Sequence, residues 1–288
     1  MKFLVTGSAG LVGTQVVKDL IDQNHVVYSG YHKTTPIHGI TTKLDLTNLD
    51  SLKIIIDKIN PDVIIHLAAL TGVDLCETEQ VLAKTINVCA TKILAQQAAK
   101  NDSFFVYVST DYVFDGNSTM KKESDTPNPL GFYGKSKLEG ELSLNDLASG
   151  WCIVRTSTPF GFHPTKKSFP IWIKENLELK KEISALTDQF TSPTYVPNLS
   201  QMIIEVAIRQ ISGIIHLAGA TRISRYDLAI LVAEKLNLDK TLLIPIKIDK
   251  MNWKAQRPKD SSLDVSLAIE VLEEKPQKIE YSFNLFFS

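Results

Sequence analysis

Tyr133 and Lys137 stand four residues apart in the segment FYGKSKLEGE, a spacing that puts both on one face of a helix. A cation beside a phenol favours phenolate and draws its pKa down from about 10. Such a pair suits a general acid that protonates a carbonyl oxygen while hydride arrives at the carbon. Thr110, closing the apolar run SFFVYVST (103–110), can offer a second hydrogen bond to the same oxygen. Spacing alone decides little: 8 tyrosines and 26 lysines in 288 residues give about 0.7 such pairs by chance, and a solvated helix pair is the ordinary alternative. Position lifts the pair above that, because it follows a polar strand end, VSTDYVFDG (108–116), and lies about 125 residues past a glycine turn.

That turn opens the chain. In MKFLVTGSAGLVG the apolar run Phe3, Leu4, Val5 leads into Gly7, Gly10 and Gly13, and a helix-period segment follows with Leu11, Val12, Val16, Val17, Leu20 and Ile21 on one face. Strand, glycine turn and helix are the setting of a dinucleotide site. Gly7 allows the tight turn, Gly10 lets backbone approach a pyrophosphate, and Gly13 lets the helix pack on the strand. Phosphates would sit on the helix N-terminus, where free N–H groups and the macrodipole favour negative charge. The spacing is G-x-x-G-x-x-G, which departs from the G-x-G-x-x-G of most dehydrogenases.

The elements that must position these residues alternate. VVYSG (26–30) and TTKLDL (41–46) read as strands, Ser51 to Ile59 as a helix, and DVIIHLAA (62–69) as a strand buried on both faces. A long helix is expected from about Glu77 to Lys100, a strand at 103–110, a helix at about 132–147 and a strand at 151–157. The pattern predicts an α/β fold, a doubly wound parallel Rossmann-type sheet with ligands at the carboxyl ends of its strands. Past Thr158 the rhythm breaks, then resumes with a helix at about 198–210 and the strand GIIHLAG (213–219). The expected division is a dinucleotide-binding domain over 1–158, with a return segment near 187–217, and a smaller interleaved substrate lobe from 159–186 and 218–288.

Composition narrows the class. A net charge of −1 and 44% apolar residues give no nucleic-acid surface and no acidic tail. No apolar stretch approaches the ~20 residues of a membrane span, and strand one begins too early for a signal peptide, so a cytoplasmic protein is expected. Cys76, Cys89 and Cys152 form no C-x-x-C pair and read as reduced packing residues. The six histidines lack metal-ligand spacing, so no metal is expected.

Together GSAGLVG, Asp45–Leu46, HLAA, STDYVF and YGKSK resemble the extended short-chain dehydrogenase/reductases. More narrowly, AALTGVDLCE (68–77), STDYVFDG, YGKSKLEGE, RTS, DQ-x-x-S-P-T and RP-x-x-S-S-L-D resemble the dTDP-4-dehydrorhamnose reductase family, over nearly the whole chain. The resemblance implies reduction of the C4 ketone of a nucleotide-linked 6-deoxy-4-keto-hexose with NAD(P)H, and Thr110, Tyr133 and Lys137 as the catalytic trio. Tyr133 would donate the proton; Lys137 would hold the nicotinamide ribose and lower the phenol's pKa. Gly7, Gly10, Leu11 and Val12 would contact pyrophosphate, Asp45 and Leu46 would flank adenine, and Ala68, Ala69, Leu70 and Ser109 would line the ribose and nicotinamide path. Thr71, Val73, Asp111 and Tyr112 would face the sugar. Arg257 is either a diphosphate contact or a solvated cation, and Asn87 either supports Lys137 through water or is an ordinary helix residue. Two departures stand out: the family's R-T-S-W reads Arg155-Thr156-Ser157-Thr158, and Thr191 replaces the glycine of D-Q-x-G-x-P-T. Within the superfamily the alternatives are a sugar 4-epimerase with resident NAD and a regulatory subunit like the beta subunit of methionine adenosyltransferase. A homodimer is left open.

The cofactor expected is NADPH, with NADH as the alternative. NAD enzymes carry an acid where the second strand ends, to accept from the ribose 2′-OH. Here that stretch reads Tyr28-Ser29-Gly30-Tyr31-His32-Lys33, and Ser29, His32 and Lys33 offer donors and charge suited to a 2′-phosphate. Lys33 is otherwise a solvated loop cation.

Overall fold

The computed structural model describes residues 1–147 and 150–288. The first apolar run forms β1 (Lys2–Thr6) and feeds α1 (Leu11–Asp22), whose Gly13, Val16, Val17 and Leu20 recur at three- and four-residue spacing and are buried against the sheet. Then come β2 (Val26–Tyr31), β3 (Ile40–Lys43), α2 (Leu49–Ile59) and β4 (Val63–His66). Local chemistry delimits α2: the Asn48 side chain accepts from the Ser51 N–H at 3.2 Å, and Asn60 ends the helix in the left-handed region at φ 47°. All four residues of β4 are buried, as a strand with helices on both faces requires.

The helix expected from Glu77 to Lys100 is interrupted. It consists of α3 (Val73–Thr78), α4 (Gln80–Lys84), a π turn (Thr85–Cys89) and α5 (Ala90–Lys100). Glu79 leaves the helical region at φ −111°, ψ 54°, and the wide π turn holds Asn87 buried. Neither break contains Gly or Pro, so no residue type announced it.

The alternation continues with β5 (Phe104–Thr110), α6 (Phe132–Leu142) and β6 (Trp151–Thr156); α6 stops at Leu142, short of the expected 147. β7 (Pro159–Phe160), α7 (Phe169–Glu178), β8 (Ile183–Leu186), β9 (Phe190–Thr191) and β10 (Thr194–Tyr195) leave the sheet, and α8 (Val196–Arg209) and β11 (Gly213–His216) return to it. The chain ends with β12 (Ile223–Ser224), α9 (Arg225–Lys235), β13 (Leu243–Ile246), α10 (Ser266–Val271) and α11 (Ile279–Phe286).

The seven parallel strands run in the order β3-β2-β1-β4-β5-β6-β11, a Rossmann-type sheet. The order reverses between β1 and β4, where a crevice opens beyond the carboxyl ends. One face is filled by Val16, Val17, Leu20 and the α8 residues Leu199, Met202 and Ile203, the other by Leu52, Ile56, Leu94 and Ala98. A separate apolar core joins α7, β8, α9, β13 and α11 through Ile173, Leu177, Ile183, Leu228, Val232, Leu243 and Phe283. Among the described residues no helix is long and apolar enough to cross a membrane.

Candidate active site

Gly7 takes φ +68°, and a Cβ there would meet the Ala68 nitrogen at 2.9 Å; on Gly13 it would overlap the Gly7 carbonyl oxygen. The helix can therefore seat on the turn only because both side chains are absent. Gly10 caps α1 without a side-chain hydrogen bond, and the first turn holds no acidic residue. Its N–H groups and dipole are left for an anion, and the cradle fits a dinucleotide diphosphate.

From this turn a cavity of about 630 Å³ runs over the strand ends. Gly7, Gly10, Leu11 and Val12 line one part, with His32 and Lys33 beside them; Ala68, Ala69, Thr71, Val73, Ser109, Thr110, Asp111, Tyr112, Tyr133 and Lys137 line the rest. Crossovers that put the strand ends side by side, with α6 beside them, bring these residues together from five stretches of sequence.

Tyr133 enters from the first turn of α6, which is fixed from outside: the Glu77 carboxylate accepts from the Phe132 N–H at 2.9 Å. Its ring meets Tyr112 edge-on at 6.0 Å. Burial pushes the phenol well above the ordinary tyrosine range, with the Thr110 hydroxyl opposing part of the effect. Lys137 is buried one turn further on; its Nζ donates to the Val108 carbonyl at 2.8 Å and lies 4.1 Å from the Tyr107 ring centre. Burial lowers its pKa to about 7, against the raising influence of Glu141. Lys137 was expected to draw the phenol's pKa down; in the structure burial is the largest influence on Tyr133 and acts in the opposite direction. The resulting neutral phenol is the form a proton donor needs.

The Thr110 hydroxyl donates to Asp111 Oδ1 at 3.0 Å and accepts from the Tyr112 N–H at 3.2 Å; Asp111 Oδ2 accepts from Ser157 at 2.8 Å. Burial raises the Asp111 pKa despite these bonds. Arg225, at the start of α9, reaches the same end, with Nη2 3.4 Å from Thr158 Oγ1 and the guanidinium 5.0 Å from the Phe169 ring. Thr158 holds φ +42°, a strained backbone for a β-branched residue.

Several expected residues lie elsewhere. Ser29 is fully buried in β2 and spends its hydroxyl on the His38 carbonyl at 2.8 Å, so it cannot meet a phosphate. Leu46 is core, and Asp45 caps Thr47 while standing 3.7 Å from His32. Neither they nor Leu70 line the cavity. Asn87 makes direct bonds in place of the expected water link: it accepts from the Leu70 N–H at 2.8 Å and donates to Ser136 Oγ at 2.9 Å. Arg257 pairs with Asp74 at 3.0 Å and stacks 4.0 Å from the Trp253 ring in a second cavity of about 600 Å³, also lined by Lys254 and Lys259. Thr191 is buried in the β9–β12 pair with its hydroxyl unpartnered among the described residues.

Arg225, Thr156, Thr165 and Lys166 also line the main cavity and were not anticipated, and Thr158, which stands where the family has tryptophan, lines it too. A lone Arg opening an amphipathic helix carries no local signal, and neither does a loop lysine; only their arrival from the second half of the chain reveals them.

The family model described as RmlD substrate binding domain matches residues 1–287. The dTDP-4-dehydrorhamnose reductase of Aggregatibacter actinomycetemcomitans is 35% identical over 280 residues, covering 92% of this chain and 91% of that protein. Methionine adenosyltransferase 2 subunit beta of Xenopus tropicalis is 32% identical over 271 residues, covering 91% and 80%. The solved structure of dTDP-4-dehydrorhamnose reductase from Bacillus anthracis in complex with NADP superposes with a TM-score of 0.90 at 29% identity, over 99% of this chain and 98% of that one.

Proposed function

The chain belongs to the RmlD substrate binding domain family, and from that premise we propose that it uses NADPH to reduce the C4 ketone of a nucleotide-linked 6-deoxy-4-keto-hexose, converting dTDP-4-dehydrorhamnose to dTDP-L-rhamnose. As a member of the dTDP-4-dehydrorhamnose reductase family it is an NAD(P)H-dependent oxidoreductase. The observation that carries the reading is one continuous cavity joining the glycine cradle to Thr110, Tyr133 and Lys137.

A bound nicotinamide would supply hydride to the ketone carbon. Tyr133 holds the proton to be delivered at its Oη, and its raised pKa keeps that proton in place at neutral pH. Thr110 donates a second hydrogen bond to the developing alkoxide once its hydroxyl turns from Asp111. Lys137 would hold the nicotinamide ribose, and Gly10, Leu11 and Val12 would offer backbone to the diphosphate. His32 and Lys33, which line the same cavity, would meet the 2′-phosphate. Thr71, Val73, Asp111, Tyr112 and Arg225 surround the hexose, and residues 159–186 and 218–288 act as the substrate lobe. The second cavity has the chemistry for the nucleotide: the Trp253 indole for a base, and Lys254, Arg257 and Lys259 for a diphosphate.

NADPH oxidation measured over a panel of nucleotide-linked 4-keto sugars tests the proposal. Turnover with the dTDP-linked 6-deoxy-4-keto-hexose supports it. Dinucleotide binding without turnover on any sugar would instead favour the regulatory role that the similarity to a methionine adenosyltransferase subunit suggests.

A further inference from the structure

We infer that Lys166, carried on the loop between β7 and α7, is the cation that closes over the diphosphate of the bound dinucleotide; this rests on the cofactor reading above. The loop leans on the glycine turn at three points. A Cβ on Gly161 would lie 3.7 Å from Leu11 Cδ1, the His163 imidazole lies against the Ala9 backbone, and a Cβ on Gly10 would lie 3.8 Å from Lys166 Nζ.

The loop is built to hold that position. Ser168 closes its base by donating to the Gly161 carbonyl at 3.0 Å, and the Phe162 ring packs tilted against Phe286 at 4.5 Å. His163 Nδ1 accepts from the backbone N–H groups of Thr165 and Lys166 at 3.2 and 3.0 Å, fixing the turn from which Lys166 projects. The neighbouring Lys167 is paired with Glu175 at 2.6 Å, whereas Lys166 has no carboxylate within 4 Å among the described residues.

Charge balance at this end favours such a group. The helix dipole supplies about half an elementary charge, and a diphosphate brings about two of opposite sign. Lys137 is held on the Val108 carbonyl and Arg225 stands at Thr158, so neither is free to neutralise it. A flexible ammonium arriving from a loop can do so as a point charge.

Calorimetric titration of the full chain with NADPH, NADH and adenosine 2′-phosphate, for wild type, Lys166→Ala and Lys166→Arg, separates the outcomes. Lys166→Ala should weaken both dinucleotides by a similar factor of about ten, with Lys166→Arg recovering most of it. Adenosine 2′-phosphate, which lacks the diphosphate, should bind all three alike, and added salt should narrow the gap between wild type and Lys166→Ala. A loss confined to NADPH and adenosine 2′-phosphate would make Lys166 a reader of the 2′-phosphate and overturn the inference, as would unchanged binding of both dinucleotides. Wild-type protein that binds neither dinucleotide would bring down the cofactor reading itself.

Discussion

The Arg155 guanidinium grips the Glu141 carboxylate at 2.7 Å with both side chains almost wholly withdrawn from solvent, at 2% and 3% exposure. Ser109 Oγ also donates to Glu141, at 2.5 Å, so one carboxylate ties α6, the end of β5 and β6 together directly behind Thr110 and Lys137. Removing one partner strands a buried charge. Glu141→Gln should cost about 3–5 kcal/mol in urea unfolding, and the double variant Glu141→Gln with Arg155→Met should recover a large part of that. A cost near zero for the single change would contradict the pairing.

Tyr133→Phe keeps the ring and removes the proton. Turnover on the 4-keto nucleotide sugar should fall by about 10² to 10⁴, while dinucleotide affinity stays near wild type. Steady-state kinetics beside a binding titration checks both halves, and near-normal turnover would remove Tyr133 from the chemistry.

Lys137 is held at about 7, well below the 10.5 of a free lysine. Between those values the unfolded chain carries a proton that the folded chain lacks, so this group adds stability as pH rises and withdraws it as pH falls towards 7. Lys137→Met abolishes the titration. Its melting temperature relative to wild type should be most favourable at about pH 6 and should decline towards about pH 9. A difference independent of pH would show that the lysine is not perturbed in the folded state.

With Ser29 spent on His38, the proposed preference for NADPH rests on Lys33 and His32, which line the cavity. Lys33→Glu should reduce kcat/KM with NADPH by about tenfold and leave NADH nearly unchanged, since a charged contact to phosphate is worth about 1.5–3 kcal/mol and exposure trims it. Equal use of the two cofactors by wild type would defeat the assignment.

The sequence alone determined what depends on neighbours along the chain. Hydrophobic periodicity delivers the alternation of strands and helices, the glycine spacing delivers the turn before α1, and four-residue spacing puts Tyr133 and Lys137 on one face of α6. These are short-range patterns, fixed by backbone geometry before any packing occurs. Side-chain direction is not of that kind. Whether Ser29 faces a ligand or the His38 carbonyl is decided by β3 closing over β2, and Lys137 turns to Val108 because β5 packs beneath α6. Asn87 reaches Leu70 through a π turn that no Gly or Pro marks, and Arg225 and Lys166 arrive from segments remote in sequence. Only the tertiary structure could settle these, because each is a choice of the partner that best satisfies a buried polar group, and that partner is fixed by which elements pack together.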